Sequence, residues 1–142
     1  MQFEFVLVPY AQLNARQRES YNFQKISAVL ADYGFSTIRL SDDWNGADFI
    51  AQHISGVTLL VQLKSRLCVT SEYRGKNLWI AFPSGNDWFL FPHDEVLNQV
   101  VQRTGIQSTV AWKIHGAYSW GAVPANLRTI LEPYRLTNEN SK

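Results

Sequence analysis

The sequence predicts an α/β protein in which a central mixed β-sheet is flanked by helices. Three observations support this fold class. Residues 47–53 and 57–66 have the alternating apolar and polar side chains of two paired strands. Residues 15–33 have apolar side chains at helical spacing. After the hairpin come two short apolar runs rich in aromatic residues and then another helical pattern, so strands and helices share one unit.

The first elements are expected to be a short strand and a long helix. Residues 2–8 are largely apolar, and Pro9 ends this strand or marks it as an edge. Asn14 and Gln17 have the spacing of a capping box, and Gly34 suits the position just after a helix. The apolar stripe of the helix between them should be buried. It consists of Ile26, Val29, Leu30 and Tyr33.

A hairpin follows, preceded by a strand at residues 35–40 and a loop at residues 41–46. Its turn is Ser55-Gly56. One face of its second strand is an unbroken apolar row that should pack on the helix: Val57, Leu59, Val61 and Leu63. The other face carries Leu60, Gln62, Lys64 and Arg66.

Pairing about Ser55 places Asp48 directly opposite Gln62 and diagonal to Lys64. Opposed Cβ atoms in such a pair are about 4.5 to 5.5 Å apart, and diagonal ones about 7 to 8 Å. Aspartate is disfavoured inside strands, and a lysine in an apolar strand is costly unless its face opens onto a cleft or meets a counter-charge. A carboxylate, an amide oxygen and an ammonium therefore converge on a patch the size of a phosphate and a metal ion.

The later elements continue the sheet and its flanking helices. Residues 78–82 and 88–91 should be strands, followed by a helix from His93 to about Arg103 in which Asp94 is the N-cap or first residue. Residues 106–121 are irregular and are either a strand or a surface loop. A final helix is expected at about 123–132, with Pro124 at its first position.

The pattern Asp48 followed by Gln62-Leu63-Lys64 resembles the catalytic signature of the PD-(D/E)XK nuclease superfamily, in the Asp...Gln-x-Lys variant of Mrr-like restriction endonucleases. The preceding helix, strand and Gly46-Ala47-Asp48-Phe49 fit the same pattern. The resemblance covers about residues 15–70. It implies a restriction-endonuclease-like core and a single nuclease-like domain over residues 1–142, with its core at about 15–104.

This resemblance implies metal-dependent hydrolysis of phosphodiester bonds in nucleic acid, with DNA favoured over RNA and Mg²⁺ or Mn²⁺ as the cofactor. Asp48, the side-chain oxygen of Gln62 and the main-chain carbonyl of Leu63 would hold the ion. Lys64 would orient or deprotonate a water and offset charge on the phosphate. Gln62 stands where the commoner pattern has an acid, which should weaken metal affinity.

A further acidic residue is often found on the first helix of this superfamily, and Glu19 lies on the apolar stripe near the start of the helix. It would be a further catalytic and metal-binding residue, holding a second ion or its water shell. Alternatively, Glu19 is solvated or paired with Arg16. Gln24 is a rival for the same position.

Net charge gives no general argument for nucleic-acid binding, since it is only +1. Positive charge is instead concentrated locally, since four of the thirteen residues 64–76 are Lys or Arg. They are Lys64 and three residues here called the basic edge, Arg66, Arg74 and Lys76. We expect the basic edge to contact phosphates, although a charged turn is often only solvated.

The single cysteine, Cys68, excludes an intrachain disulfide and fits a reducing compartment. The apolar start at residues 3–8 lacks a basic flank and is far shorter than the ~20 residues of a membrane span, so a cytoplasmic protein without membrane contact is expected. Many nucleases that cut both strands act as dimers, which leaves a homodimer open. The three histidines lack zinc spacing.

Two other functions remain open. A relative without catalytic activity could bind nucleic acid through Lys64 and the basic edge. Alternatively, a small aromatic-rich domain could act through protein contacts, as a subunit or an immunity protein. In that case Asp48 and Lys64 would form a buried structural ion pair.

Overall fold

The computed structural model describes residues 2–137, apart from the side chains of Asp43 and Trp44. Within this range the chain forms four α-helices and eight β-strands. The helices are α1 (Ala15–Asp32), α2 (His93–Arg103), α3 (Val110–His115) and α4 (Ala125–Leu131). The strands are β1 (Phe35–Trp44), β2 (Ala47–His53), β3 (Thr58–Leu63), β4 (Cys68–Thr70), β5 (Leu78–Ser84), β6 (Asp87–Pro92), β7 (Ala117–Ser119) and β8 (Arg135–Leu136).

Six strands form one sheet in the order β1-β2-β3-β5-β6-β8. Strands β3 and β5 are parallel, and every other neighbouring pair is antiparallel. A parallel pair needs a long crossover connection. The segment between β3 and β5 provides it, and β4 within that segment pairs with β7 in a separate two-stranded sheet. The predicted fold class, a mixed sheet flanked by helices, is confirmed.

The central hairpin has the predicted register. Phe49 faces Val61 and Ala51 faces Leu59. Continued by one residue, this register places Asp48 opposite Gln62. Strand β3 is shorter than predicted at both ends, and the side chain of Val57 is 54% exposed because it lies before the strand begins.

The core lies on both faces of the sheet. On one face, α1 buries Ile26, Val29 and Leu30 against a group that includes Phe49 and Val61. The other face is covered by α2 and α4, whose apolar residues pack with those of β5 and β6. Leu59 and Val61 therefore contact the helix layer as predicted, and Leu63 packs against the same group. Tyr33 is an exception in the predicted stripe, since it is 41% exposed.

Helix α1 starts and ends where the sequence indicates. The side chain of Asn14 accepts a hydrogen bond from Gln17 N at 2.8 Å, and Gln17 Oε1 accepts one from Asn14 N at 2.9 Å. This reciprocal capping box satisfies two N–H groups that have no partner within the helix. After Tyr33, Gly34 adopts a positive φ of 85° that few other residues tolerate.

Several local predictions are wrong. Residues 2–9 form no strand, and Phe5 and Leu7 are 95% and 98% exposed, because an apolar run becomes a strand only beside a partner strand. Strand β1 continues to Trp44 instead of ending at residue 40, and Asn45 and Gly46 turn the chain with positive φ angles of 52° and 88°.

The region after α2 agrees with the prediction in part, because residues 106–121 include strand β7 but also contain α3. Thr109 caps α3 by accepting from Trp112 N, and Gly116 ends it in the left-handed conformation. Asp94 does not cap α2, whose N-cap is Pro92. Pro124 is likewise the N-cap of α4 and not its first residue. Among residues 2–137, no helix is long and apolar enough to cross a membrane.

Candidate nuclease-like site

A cleft of about 670 Å³ opens where the N-terminal half of α1 meets strands β1, β2 and β3. The sheet supplies Asp48, Gln62 and Lys64 from the central hairpin and the residue that follows it. Helix α1 supplies Glu19 from the opposite wall. The described lining residues that carry a charge or an amide are Arg18, Glu19, Asn22, Arg39, Asp48, Gln62 and Lys64.

Asp48 is held by the backbone of the neighbouring strand. Its Oδ2 accepts a hydrogen bond from Leu63 N at 2.8 Å. The bond lies at the last residue of β3, where the ladder between β2 and β3 has already ended. Asp48 thereby takes the place of a ladder partner for Leu63 N, which gives a physical reason for an aspartate inside a strand.

Lys64 lies at the edge of the cleft beside Tyr73. Its Nζ is 5.3 Å from the centre of the Tyr73 ring and is hydrogen-bonded to the side chain of that residue. Burial by itself lowers the pKa of Lys64, but the hydrogen bond to Tyr73 and nearby groups that include Asp48 outweigh it and raise the pKa above its ordinary value. Lys64 is therefore positively charged at neutral pH.

Tyr73 is itself fixed by its surroundings. It is buried and its ring meets that of His93 edge to face, with the centroids 5.5 Å apart. His93 Nε2 accepts a hydrogen bond from Thr70 N at 3.1 Å, and Nδ1 lies 2.9 Å from Asp94 Oδ1. A chain of contacts thus connects α2 to Lys64 through His93 and Tyr73.

Glu19 lines the cleft, and its side chain is 71% exposed. It is paired with Arg39 and not with Arg16: Glu19 Oε2 lies 3.9 Å from Arg39 Nη2. Gln24 is also exposed, but it lies with Arg16 on a neighbouring surface patch. Of the two helix residues considered from sequence, the structure brings only Glu19 to Asp48 and Lys64.

The basic edge lies outside the cleft. Arg66, Arg74 and Lys76 are all exposed, and none of them is among the residues that line it. Arg74 Nη1 donates to Asn98 Oδ1 at 3.3 Å, which ties it to α2. Lys64 is the member of the predicted positive group that the structure places at the site.

Sequence reasoning missed two cations of the cleft, Arg18 and Arg39. Arg18 Nη2 donates to Ala11 O at 2.9 Å, and its guanidinium lies over the ring of Tyr10. Arg39 lies directly opposite Phe49 in the pairing of β1 with β2, so its side chain is on the face of the sheet that α1 covers. The alternation of side chains along β1 could have indicated this position, because it places Arg39 on the same face as the apolar residue Phe35.

The oxygen donors suit a hard cation bound loosely. Among the described side chains of residues 2–137, no group of three or more His, Cys, Asp or Glu residues could hold a metal. The cleft offers the Asp48 carboxylate, the Gln62 amide, the Leu63 carbonyl and the more distant Glu19. Mg²⁺ is usually held by one or two carboxylates and keeps several of its waters. This donor set therefore fits hydrated Mg²⁺ or Mn²⁺ and does not fit a protein-caged ion such as structural zinc.

Comparison with known proteins gives little further information. Neither family models nor curated proteins give a significant match. Among solved structures, the chain is similar to Archaeoglobus fulgidus Hjc, a Holliday junction resolvase from an archaeal hyperthermophile. The TM-score is 0.40 and the sequence identity 16%, over 51% of this chain and 70% of the archaeal one.

Proposed function

We propose that this chain is a metal-dependent nuclease of the Asp...Gln-x-Lys type, resembling Mrr-like endonucleases, that hydrolyses phosphodiester bonds in DNA in preference to RNA. One observation carries the proposal: Asp48, Gln62 and Lys64 line a single cleft, with Asp48 bonded to the backbone of Leu63 between the other two. A cytoplasmic location and a homodimer stay predictions that the proposal does not require.

In the proposed site, Asp48, the Gln62 amide oxygen and the Leu63 carbonyl would hold Mg²⁺ or Mn²⁺, and Glu19 would bind water molecules of the ion. The N–H and C=O of one residue in an extended strand point to the same side. Because the N–H of Leu63 points at Asp48, the carbonyl of Leu63 points to the same side and could bind the ion together with the Asp48 carboxylate. The bound ion would polarise the scissile phosphate and a water.

Lys64 acts through its charge and its donors. An ammonium has three N–H groups, so Lys64 can keep its bond to Tyr73 while it orients the attacking water and contacts a phosphate oxygen. Negative charge grows on the phosphate oxygens in the transition state, and a fixed cation beside them lowers the barrier. Tyr73 keeps that cation in place.

The experiment compares cleavage by the wild type with that by Asp48→Ala and Lys64→Ala, using plasmid and linear DNA with Mg²⁺ or Mn²⁺. Each substitution should reduce the rate about 100- to 1000-fold, as is typical for single electrostatic groups in active sites. Thermal melting should show that both variants remain folded. The proposal fails if the wild type cleaves neither DNA nor RNA with either metal.

Two outcomes would identify the other functions. If Asp48 and Lys64 form a structural ion pair, removal of either partner should lower the free energy of unfolding by about 3 to 5 kcal/mol. Loss of folding in both variants would therefore favour a protein-interaction domain. Retained DNA binding without cleavage would favour a catalytically inactive binding relative. Gln62→Glu is a further check, since a second carboxylate should tighten Mn²⁺ binding if residue 62 faces the ion.

A further inference from the structure

Arg39 is held in an orientation that leaves its guanidinium facing the cleft. Its Nη1 donates to Ser20 Oγ at 3.0 Å, and its guanidinium carbon lies 5.6 Å from the centre of the Phe23 ring. Phe23 is fixed in turn by an edge-to-face contact with buried Phe49. An arginine held in this way loses less conformational entropy when it binds a ligand.

The contact between Arg39 and Glu19 is weak enough to exchange. The two groups are 3.9 Å apart, and their side chains are 43% and 71% exposed. Exposed ion pairs contribute only about 0 to 1 kcal/mol. A guanidinium has five N–H donors, so Arg39 can keep its bond to Ser20 and still make a bidentate contact with a phosphate.

The charge of the cleft favours an anionic ligand. Among the side chains that the structure describes, its lining carries three cations, Arg18, Arg39 and Lys64, and two carboxylates, Glu19 and Asp48. The donors of Arg18 are directed to the backbone of residues 10 and 11. Arg39 is therefore the better placed of the two arginines to meet an incoming phosphate.

We infer that Arg39 binds a backbone phosphate of the nucleic-acid strand in the cleft, next to the bond that Lys64 and Asp48 act on, and that Glu19 competes with this phosphate for Arg39. The inference rests on the proposed function in one respect, because both require nucleic acid to enter this cleft. It assigns phosphate binding to the wall formed by α1 and β1, in contrast to the basic edge.

The test measures binding of the full chain to a fluorescein-labelled 20-base-pair duplex by anisotropy, in EDTA and at several NaCl concentrations. Arg39→Gln should weaken binding about 10-fold or more and reduce the salt slope by about one unit, as expected for one lost phosphate contact. Arg16→Gln is the matched control, because it removes the same charge from an exposed position of α1 outside the cleft. This control should keep the wild-type slope.

Glu19→Gln separates phosphate binding from a purely structural role of Arg39. It removes the competing carboxylate from an exposed position, so it should strengthen binding in EDTA and leave the fold intact. The gain should vanish when Arg39→Gln is also present. If Arg39 only fastens β1 to α1, Glu19→Gln leaves the affinity unchanged and Arg39→Gln alters the melting temperature alone.

The inference is overturned if Arg39→Gln keeps the wild-type salt slope, or if Arg16→Gln reduces affinity and slope equally. Its failure is distinct from failure of the proposed function. Loss of binding in Arg39→Gln without any cleavage by the wild type would support the inference and refute the nuclease. Cleavage by the wild type with unchanged binding by Arg39→Gln would support the nuclease and refute the inference about Arg39.

Discussion

At the scale of single residues, the contact between Tyr73 and Lys64 determines where the positive charge of the site lies. The lysine follows the last residue of β3, and its backbone N–H donates to Ala81 O at 2.8 Å. Its long side chain would otherwise sample many rotamers. The hydroxyl and the ring of Tyr73 both restrict it.

We therefore expect Tyr73→Phe to slow cleavage about 10-fold, since it removes one hydrogen bond to a charged group and keeps the ring. The effect should appear in kcat, with DNA affinity in EDTA unchanged, because Lys64 keeps its charge. Tyr118→Phe, on β7 and outside the cleft, is the control. Equal kcat values for Tyr73→Phe and the wild type would show that the hydroxyl does not position Lys64.

At the scale of elements, α1 forms one wall of the cleft and contributes Arg18, Glu19 and Asn22. These residues lie within two turns of the N-terminus, so fraying of the first turn would displace them. The Asn14 and Gln17 capping box opposes that fraying.

Asn14→Ala should lower the free energy of unfolding by about 1 kcal/mol, within the range of about 0.5 to 2 kcal/mol for lost caps. Urea unfolding followed by circular dichroism measures it. Gln24→Ala, at an exposed position of the same helix, should cost nothing because alanine is the better helix former. Equal stabilities of the two variants would show that the cap does not stabilise α1.

At the scale of the whole molecule, buried His93 connects the small sheet to α2 and the main sheet. Burial lowers its pKa below the ordinary value, and Arg74 lowers it further, although Asp94 acts in the opposite direction. The folded protein therefore holds the ring neutral, with Nε2 accepting from Thr70 N and Nδ1–H donating to Asp94. Tyr73 packs edge to face against the ring.

This burial makes stability depend on pH in a defined direction. Below about pH 6.5, His93 becomes protonated in the unfolded chain but stays neutral in the folded chain. The free energy of unfolding therefore decreases as the pH falls from about 6.5 toward the lowered pKa of folded His93. Urea unfolding between pH 7.5 and pH 5 should show this loss, and His93→Gln should reduce it. His115→Gln, exposed on α3, should leave the wild-type slope. An identical slope in His93→Gln would refute the explanation.

The sequence by itself determined the elements whose signals are local. Asn14, Gln17 and Gly34 set the ends of α1, because capping depends on residues within one turn. The alternation in β3 and the short turn fixed the register of Asp48 opposite Gln62, since a slip by one residue would expose the apolar row. The pairing of Asp48 with the QxK segment was predictable for the same reason.

Only the tertiary structure decided which cations meet these residues. Arg18 and Arg39 reach the cleft, and the basic edge does not, because the crossover after β3 takes that segment away from α1. The apolar run at residues 2–8 has strand-like composition but forms no strand. In each case the outcome depends on which distant segments become neighbours, and local spacing and composition do not specify those contacts.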